Sequence, residues 1–167
     1  PLTRLKLQLA MVNNKEISNN MSKDIDEMEN MLNDYLQFAK TQSVENTMEI
    51  SLTSMFKEIS NSFNNKNLKI INSEEIKLNA RPLALKRTFE NIIQNGLTYG
   101  SKINVTVQKS ANRVIISFDD DGPGIPEDQY KNVFKPFFRL DKSRSLNQSG
   151  VGLGLAIVED VINSHGG

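Results

Sequence analysis

Across 167 residues, 20 basic and 20 acidic side chains cancel to a formal charge of zero, so no global field draws the chain to nucleic acid or to an anionic membrane surface. The absence of cysteine excludes disulfides, thiolate metal sites and cysteine nucleophiles, and fits a reducing compartment. No apolar run approaches the roughly 18 residues of a spanning helix and no signal-like N-terminus is present, so this segment is expected to make no direct membrane contact.

Leu2, Leu5, Leu9 and Val12 fall on one helical stripe, and Ile25, Met28, Leu32, Tyr35, Leu36 and Ala39 fall on a second. The polar Asn13-Asn14-Lys15-Glu16 separates them. The spacing predicts an α-helical hairpin over residues 1–40 whose apolar stripes need partners, either each other or a second copy of the chain. Residues 41–50 lack clear periodicity and read as a linker. Beyond it, Leu52, Met55, Phe56 and Ile59 fit a helix, residues 68–71 and 76–78 fit short strands, and Pro82 suits the first turn of the next helix. Ile103, Val105 and Val107 alternate with polar residues, and residues 114–118 are almost continuously apolar. These are two strands with a turn between, the second running into Asp119, Asp120 and Asp121. Helices against one antiparallel or mixed sheet put residues 51–167 in the α/β class, as an α/β sandwich.

On a wheel of 100° per residue, the helix from Pro82 to Tyr99 collects Leu85, Phe89, Ile92, Ile93, Gly96 and Leu97 on one side. Arg87, Asn91, Asn95, Thr98 and Tyr99 gather on the other. Taken alone, Asn91 and Asn95 read as a solvated face. The turn Asp120-Asp121-Gly122-Pro123-Gly124 reads alone as a strand leaving the core, and Gly150-Val151-Gly152-Leu153-Gly154-Leu155 as a turn or a close packing site ahead of a helix reaching about His165. In order along one chain they suit a nucleotide. A carboxylate accepts from an adenine amine, an amide oxygen ligates Mg²⁺, and glycines let backbone N–H groups reach phosphate oxygens. Strand alternation would aim Asp120 into a pocket and leave Asp119 and Asp121 outside. The glycine spacing is neither a Rossmann fingerprint nor a Walker A loop, and the protein-kinase His-Arg-Asp and Asp-Phe-Gly sequences are missing.

The ordered set of Asn91-Ile92-Ile93-Gln94-Asn95, Asp120-Asp121-Gly122-Pro123-Gly124, Phe134-Lys135-Pro136-Phe137-Phe138-Arg139 and Gly150-Val151-Gly152-Leu153-Gly154-Leu155 resembles the ATP-binding domain of the sensor histidine kinases of two-component systems. Pro1-Leu2-Thr3-Arg4-Leu5 is similar to the stretch that follows the phosphoacceptor histidine in that family's dimerisation hairpin, so the resemblance covers almost the whole chain, with osmosensor kinases nearest. It implies a Bergerat-type α/β sandwich after the hairpin, binding of ATP and Mg²⁺, and transfer of the γ-phosphoryl group to a histidine. Asn95 would hold the metal, Asn91 would support the phosphates, Tyr99 would flank the adenine and Asp120 would bind its amine. Gly122, Gly124 and Ile125 would shape that pocket. Gly150, Val151, Gly152, Leu153, Gly154 and Leu155 would bring backbone donors to the phosphates. Residues 139–149 would form a lid hinged at Phe134, Phe137 and Phe138, with Arg139, Lys142 and Arg144 as candidate phosphate partners.

Departures from the family pattern are specific. Thr98 stands where the family usually has Lys or Arg, Gly96 where Ala is usual, and Val151 where a small polar residue is usual. The phosphoacceptor histidine is expected five residues before Pro1 and two further strands after Gly167, so no catalytic residue is assigned within the chain and the isolated chain is expected not to autophosphorylate. His165 has a structural role in this reading. The implied partners are a second copy through the hairpin and a response regulator, which the acidic Asp24, Asp26, Glu27 and Glu29 could meet, although their plainer reading is a solvated face; nucleic acid is not among them. The segment would be cytoplasmic, in a parent anchored in the inner membrane. The competing readings are an ATPase of the wider gyrase, Hsp90 and MutL group, which would need a water-activating carboxylate on the Asn helix, where Glu90 falls at the border of the two arcs and not with Asn91 and Asn95, and a noncatalytic dimerisation or regulator-binding module.

Overall fold

The computed structural model describes residues 4–5, 9, 15–41, 45–63, 67–72, 74–110, 113–140 and 152–167. Arg4, Leu5 and Leu9 are helical and precede the long helix α1 (Lys15–Thr41). Leu9 and Ile25 are buried, and the Ser18 hydroxyl donates to the Leu9 carbonyl at 3.0 Å, which brings the start of α1 against the preceding helical residues as a hairpin requires. Lys15 and Glu16, expected in the break, belong to α1. Both are good helix formers, and polarity alone does not end a helix. Ile17, Met21, Met28, Leu32 and Leu36 stay 45–53% exposed, and their spacing gathers them on one side of α1. Leu2, Val12 and the side chains of Tyr35 and Ala39 lie outside the described residues.

The expected linker is shorter than residues 41–50. Thr41 closes α1, and Met48 opens strand β1 (Met48–Ser51), which pairs antiparallel with β3 (Lys77–Ala80) so that Met48 faces Ala80. A four-residue strand gives almost no periodic signal; its backbone partner defines it. Ser51 then caps α2 (Leu52–Phe63) by accepting the Ser54 N–H at 3.2 Å.

A second sheet has the order β2 (Leu68–Asn72), β4 (Ile103–Ser110), β5 (Arg113–Asp120). β2 runs parallel to β4, and β5 antiparallel to it. The described residues therefore hold two sheets where the sequence suggested one. Helices α2 and α3 (Pro82–Tyr99) supply the other half of the core, as Leu52, Met55, Phe56, Ile59, Leu85, Phe89 and Ile93 meet Leu68, Ile103, Val105 and Val107. Phe56 stacks on Phe89 at 4.9 Å between centroids, and Phe118 of β5 tilts against both. This is the expected α/β sandwich, preceded by helical residues.

The wheel for α3 needs one correction. Ile92 and Leu97 are only half-buried, whereas Ala84 and Thr88 are buried, because α3 packs on two sides. One side meets the sheet; the other meets α4 (Gly154–Ser164) through Ala84, Leu153, Ile157 and Val161. Thr88 is tolerated there because its hydroxyl donates to the Ala84 carbonyl at 3.0 Å. Beyond α4, Gly166 takes φ +82°, so that its N–H reaches Asn163 and the Gly167 N–H reaches Ile162, a left-handed glycine stop. Among the described residues no helix is long and apolar enough to cross a membrane.

Candidate nucleotide site

β5 and the C-terminal end of α3 build one end of the site. Val105 faces Phe118 and Ile103 faces Asp120, so period-two alternation continues the inward face of β5 from Phe118 to Asp120. There α3 crosses at Gly96, where an added Cβ would stand 2.5 Å from the Ile103 side chain and 3.4 Å from Asp120 Cβ. The glycine permits this close approach. Asp120 turns back to accept the Gly122 N–H on Oδ1 at 2.8 Å, and no hydrogen bond to Oδ2 is found among the described residues. Gly122 is held between Asp120 Oδ1 and the Tyr99 backbone, with 2.7 and 3.2 Å to an added Cβ, so Tyr99 and Gly122 flank the same carboxylate. Asp120, Gly124, Ile125 and Tyr99 are all exposed: Asp120 stands at an open rim and not inside a closed pocket.

Its neighbour Asp121 does something sequence reasoning missed. One oxygen accepts the N–H groups of Ser101 and Lys102 at 2.7 and 2.9 Å, and the other accepts the Ser101 hydroxyl at 2.7 Å. These bonds, the Ser101 hydroxyl first, lower its pKa to about 2. Asp121 thereby fixes the turn that follows α3, with Gly100 giving its carboxylate room. The signal was a Gly-Ser step whose free N–H groups need an acceptor.

The Asn face and the glycine loop meet. An added Cβ on Gly154, the first residue of α4, would lie 3.9 Å from Cβ and Cγ of Asn91 and 4.0 Å from Nδ2 of Asn95. The N-terminal end of α4, with its unpaired N–H groups and positive dipole end, thus opens beside two half-buried amides. Gly152 holds φ +78°, and a Cβ there would stand 2.7 Å from the Phe138 carbonyl oxygen. Phe137, itself at φ 64°, donates its N–H to the Gly152 carbonyl at 2.9 Å. Phe137 and Gly152, which flank the expected lid on its two sides, are therefore pinned together. Phe137 is 62% exposed while Phe134 and Phe138 are half-buried, so only part of the Phe trio packs. Arg139 is half-buried at the lid's start. Gly150, Val151, Lys142, Arg144 and the rest of the lid after Leu140 lie outside the described residues. Leu153 is buried in the seam between α3 and α4, so it seats the loop through packing, and Leu155 is half-buried.

His165 stands apart from this constellation. Its Nε2 accepts the Arg81 N–H at 3.1 Å and its Nδ1 lies 2.7 Å from the Val161 carbonyl oxygen, which requires the neutral ring carrying its proton on Nδ1. The Arg81 guanidinium also reaches Ser164 Oγ. Histidine thus ties the end of α4 to the start of α3, a structural role.

The residues fit a triphosphate and its metal in a specific way. Asn95 carries an amide oxygen of the kind that can ligate Mg²⁺ beside phosphate and water, the usual habit of that ion. A Cβ on Gly154 would enter the gap between the start of α4 and the Asn91 and Asn95 side chains, whereas one on Gly152 would strike the Phe137 and Phe138 backbone. An open hollow lined by Ser62, Phe63, Glu90, Asn91 and Gln94 adjoins this site through Asn91 alone and includes neither Asp120 nor the glycine loop. The Asn91–Asn95 arc that meets the start of α4 and the Asp120 rim at Gly96 are two stations on α3, both outside this hollow.

Comparison with known proteins gives the family of this fold. Residues 80–167 match the family described as histidine kinase-, DNA gyrase B- and HSP90-like ATPases. The chain is similar to the sensor histidine kinase GtrS of Pseudomonas aeruginosa, 30% identical over all of this chain and 35% of that protein. It is 42% identical to the sensor histidine kinase CpxA of Escherichia coli over 54% of this chain and 20% of that protein. The chain thus spans about a third of the length of the first of these relatives. The NMR structure of the histidine kinase domain of the E. coli osmosensor EnvZ superposes with a TM-score of 0.55 at 30% identity, covering 75% of this chain and 80% of that one. A carboxylate at the rim, two amides on one helix and a glycine loop opening the next are assembled here on an α/β sandwich, and the chain belongs to the histidine kinase-, DNA gyrase B- and HSP90-like ATPase family, among relatives that are sensor histidine kinases.

Proposed function

We propose that this chain is the catalytic core of a two-component sensor histidine kinase, which binds Mg²⁺-ATP and passes its γ-phosphoryl group to a histidine for relay to a response regulator. The observation that carries the reading is the layout of α3. Its C-terminal end lies against Asp120 at Gly96, and Asn95 and Asn91 follow toward its N-terminus beside Gly154. From Gly96 to Asn91 the helix rises about 7.5 Å, so purine and phosphates have separate stations on one rigid element.

Bound Mg²⁺-ATP supplies the phosphoryl group and part of its own charge neutralisation. The chain supplies position. Asp120 Oδ2 accepts the adenine amine while Oδ1 stays committed to Gly122. Asn95 offers an amide oxygen to the metal, Asn91 supports the phosphates, and the amides of the loop through Gly152 and Gly154 donate to phosphate oxygens. Tyr99, Gly122, Gly124 and Ile125 flank the purine, and Arg139 adds a cation where the lid begins.

The exposed stripe Ile17, Met21, Met28, Leu32 and Leu36 supports a homodimer through the hairpin, since a monomer seldom leaves such a row uncovered. Residues up to 41 form the dimerisation hairpin and residues 48–167 the ATP-binding domain, within a cytoplasmic part of a membrane-anchored parent. Calorimetric titration with ATP, with and without Mg²⁺, tests the reading. Wild type should bind, and Asp120→Asn should bind about tenfold to a hundredfold more weakly through loss of a charge-assisted bond. Equal affinities would sink the site, and steady release of free phosphate would favour the ATPase reading instead.

A further inference from the structure

The first turn of α3 has no cap of its own. Arg81 contributes no side-chain bond at the Ncap position, Pro82 has no N–H, and the first turn holds no acidic residue. Each remaining donor nevertheless has an acceptor. The Arg81 N–H goes to His165 Nε2 at 3.1 Å, and the Leu85 N–H closes the turn on the Arg81 carbonyl at 3.0 Å. The Leu83 N–H goes to Glu45 Oε1 at 2.7 Å and the Ala84 N–H to Glu45 Oε2 at 3.0 Å. A carboxylate 38 residues upstream of Leu83 therefore straddles the positive end of the helix with both oxygens, where charge and dipole reinforce each other.

The place of Glu45 in the chain makes this more than a cap. It is half-buried in the segment that joins α1 to β1, and it follows Thr41, the last residue of α1, by four residues. Four residues span at most about 14 Å. A larger displacement of the end of α1 must draw on the carboxylate or on the helix it holds. The geometry points to Glu45 as a positioning residue, a latch that fastens the segment after the hairpin to the first turn of the helix carrying Asn91 and Asn95. Movement of α1 reaches that helix through two hydrogen bonds, and their release leaves two N–H groups at the helix start without acceptors. The helix meets His165 at the same turn, so it is held from both sides. Only the consequence for nucleotide rests on the function proposed above; the latch itself does not.

Residue-resolved amide exchange on the 167-residue chain tests it, comparing wild type with Glu45→Ala and the near-isosteric Glu45→Gln. Exchange at Leu83 and Ala84 should be slow in wild type and about tenfold or more faster in both variants, while Phe89 and Ile93 in the middle of α3 keep their protection. The absence of native cysteine lets spin labels on the pair Lys23→Cys and Lys57→Cys report the spacing of α1 and α2. That distance distribution should widen in Glu45→Ala, which loss of a purely local cap would not produce. Mg²⁺-ATP should slow exchange at Leu83 and Ala84 in wild type and leave Glu45→Ala unchanged, as reciprocal coupling requires. Unchanged exchange at both amides in the variants, or an unchanged label distribution, overturns the latch. Should ATP fail to bind wild type at all, the nucleotide reading falls while the exchange and label measurements still decide the latch.

Discussion

On the proposed function, Gly154 is a glycine kept for phosphate, whereas Gly152 is one kept for the backbone. Gly154→Ala places a methyl 3.9 to 4.0 Å from the side chains of Asn91 and Asn95, an ordinary van der Waals distance, at a φ that alanine tolerates. Alanine at a helix start is no worse than glycine, so stability should stay level or rise by up to about 1 kcal/mol. The same methyl occupies the gap between the start of α4 and the Asn pair. If phosphate sits there, at least one charge-assisted contact is lost, which costs about 1.5–3 kcal/mol or roughly tenfold to a hundredfold in affinity. Gly152→Ala differs. Its Cβ would stand 2.7 Å from a backbone oxygen at φ +78°, and a left-handed conformation alone costs a non-glycine residue about 1–2 kcal/mol. With movement of the Phe137 and Phe138 backbone added, a loss of about 2 kcal/mol or more is expected, some 4–8 °C in melting temperature for a chain of this size. Thermal melts and ATP titrations of both variants provide the assay. Gly154→Ala binding ATP as tightly as wild type would refute the phosphate cradle, and Gly152→Ala melting at the wild-type temperature would refute the strain argument.

Asn95→Ala should keep the fold and lower the Mg²⁺-dependent part of ATP affinity, with Asn91→Ala doing less; a collapsed melt with intact metal dependence would make Asn95 structural. Asp121 has a lowered pKa, so its stabilising effect is complete above the ordinary carboxylate value of about 3.9 and fades as pH falls through about 2. Denaturant melts between pH 5 and 2 should show Asp121→Asn less stable than wild type at pH 5 and the gap closing toward pH 2; a gap constant with pH contradicts the assignment. His165→Ala should destabilise by about 1 kcal/mol because the part-buried Arg81 N–H loses its acceptor. With its single histidine engaged by Arg81 and Val161, the chain incubated with γ-labelled ATP should acquire no acid-labile, base-stable label of its own; such label mapped to His165 would overturn its structural role.

What the sequence made legible is what repeats with a period or occurs as an ordered motif. The alternation of Ile103, Val105 and Val107 marked a strand, the 3.6-residue spacing of Leu85, Phe89 and Ile93 marked a helix face, and the Asp120 turn and the Asn pair stood out as members of one ordered set of motifs. The misses are features decided by a partner distant in sequence. β1 exists because β3 lies opposite, and Thr88 is buried because α4 covers it. Asp121, read as lying outside the pocket, and Glu45, within the expected linker, belong to the same class, each satisfying backbone donors that the local sequence leaves orphaned. In both places the need was written as a deficit, an uncapped Arg81-Pro82 start and a Gly100-Ser101 exit, while the acceptor lay 20 or 38 residues away. The two carboxylates hold opposite ends of the same helix. On the proposed function, a helix with both ends held by groups outside itself keeps Asn91 and Asn95 in register with Gly154 only while those groups stay in place, and Glu45, four residues after the end of α1, would carry a displacement of α1 to that helix.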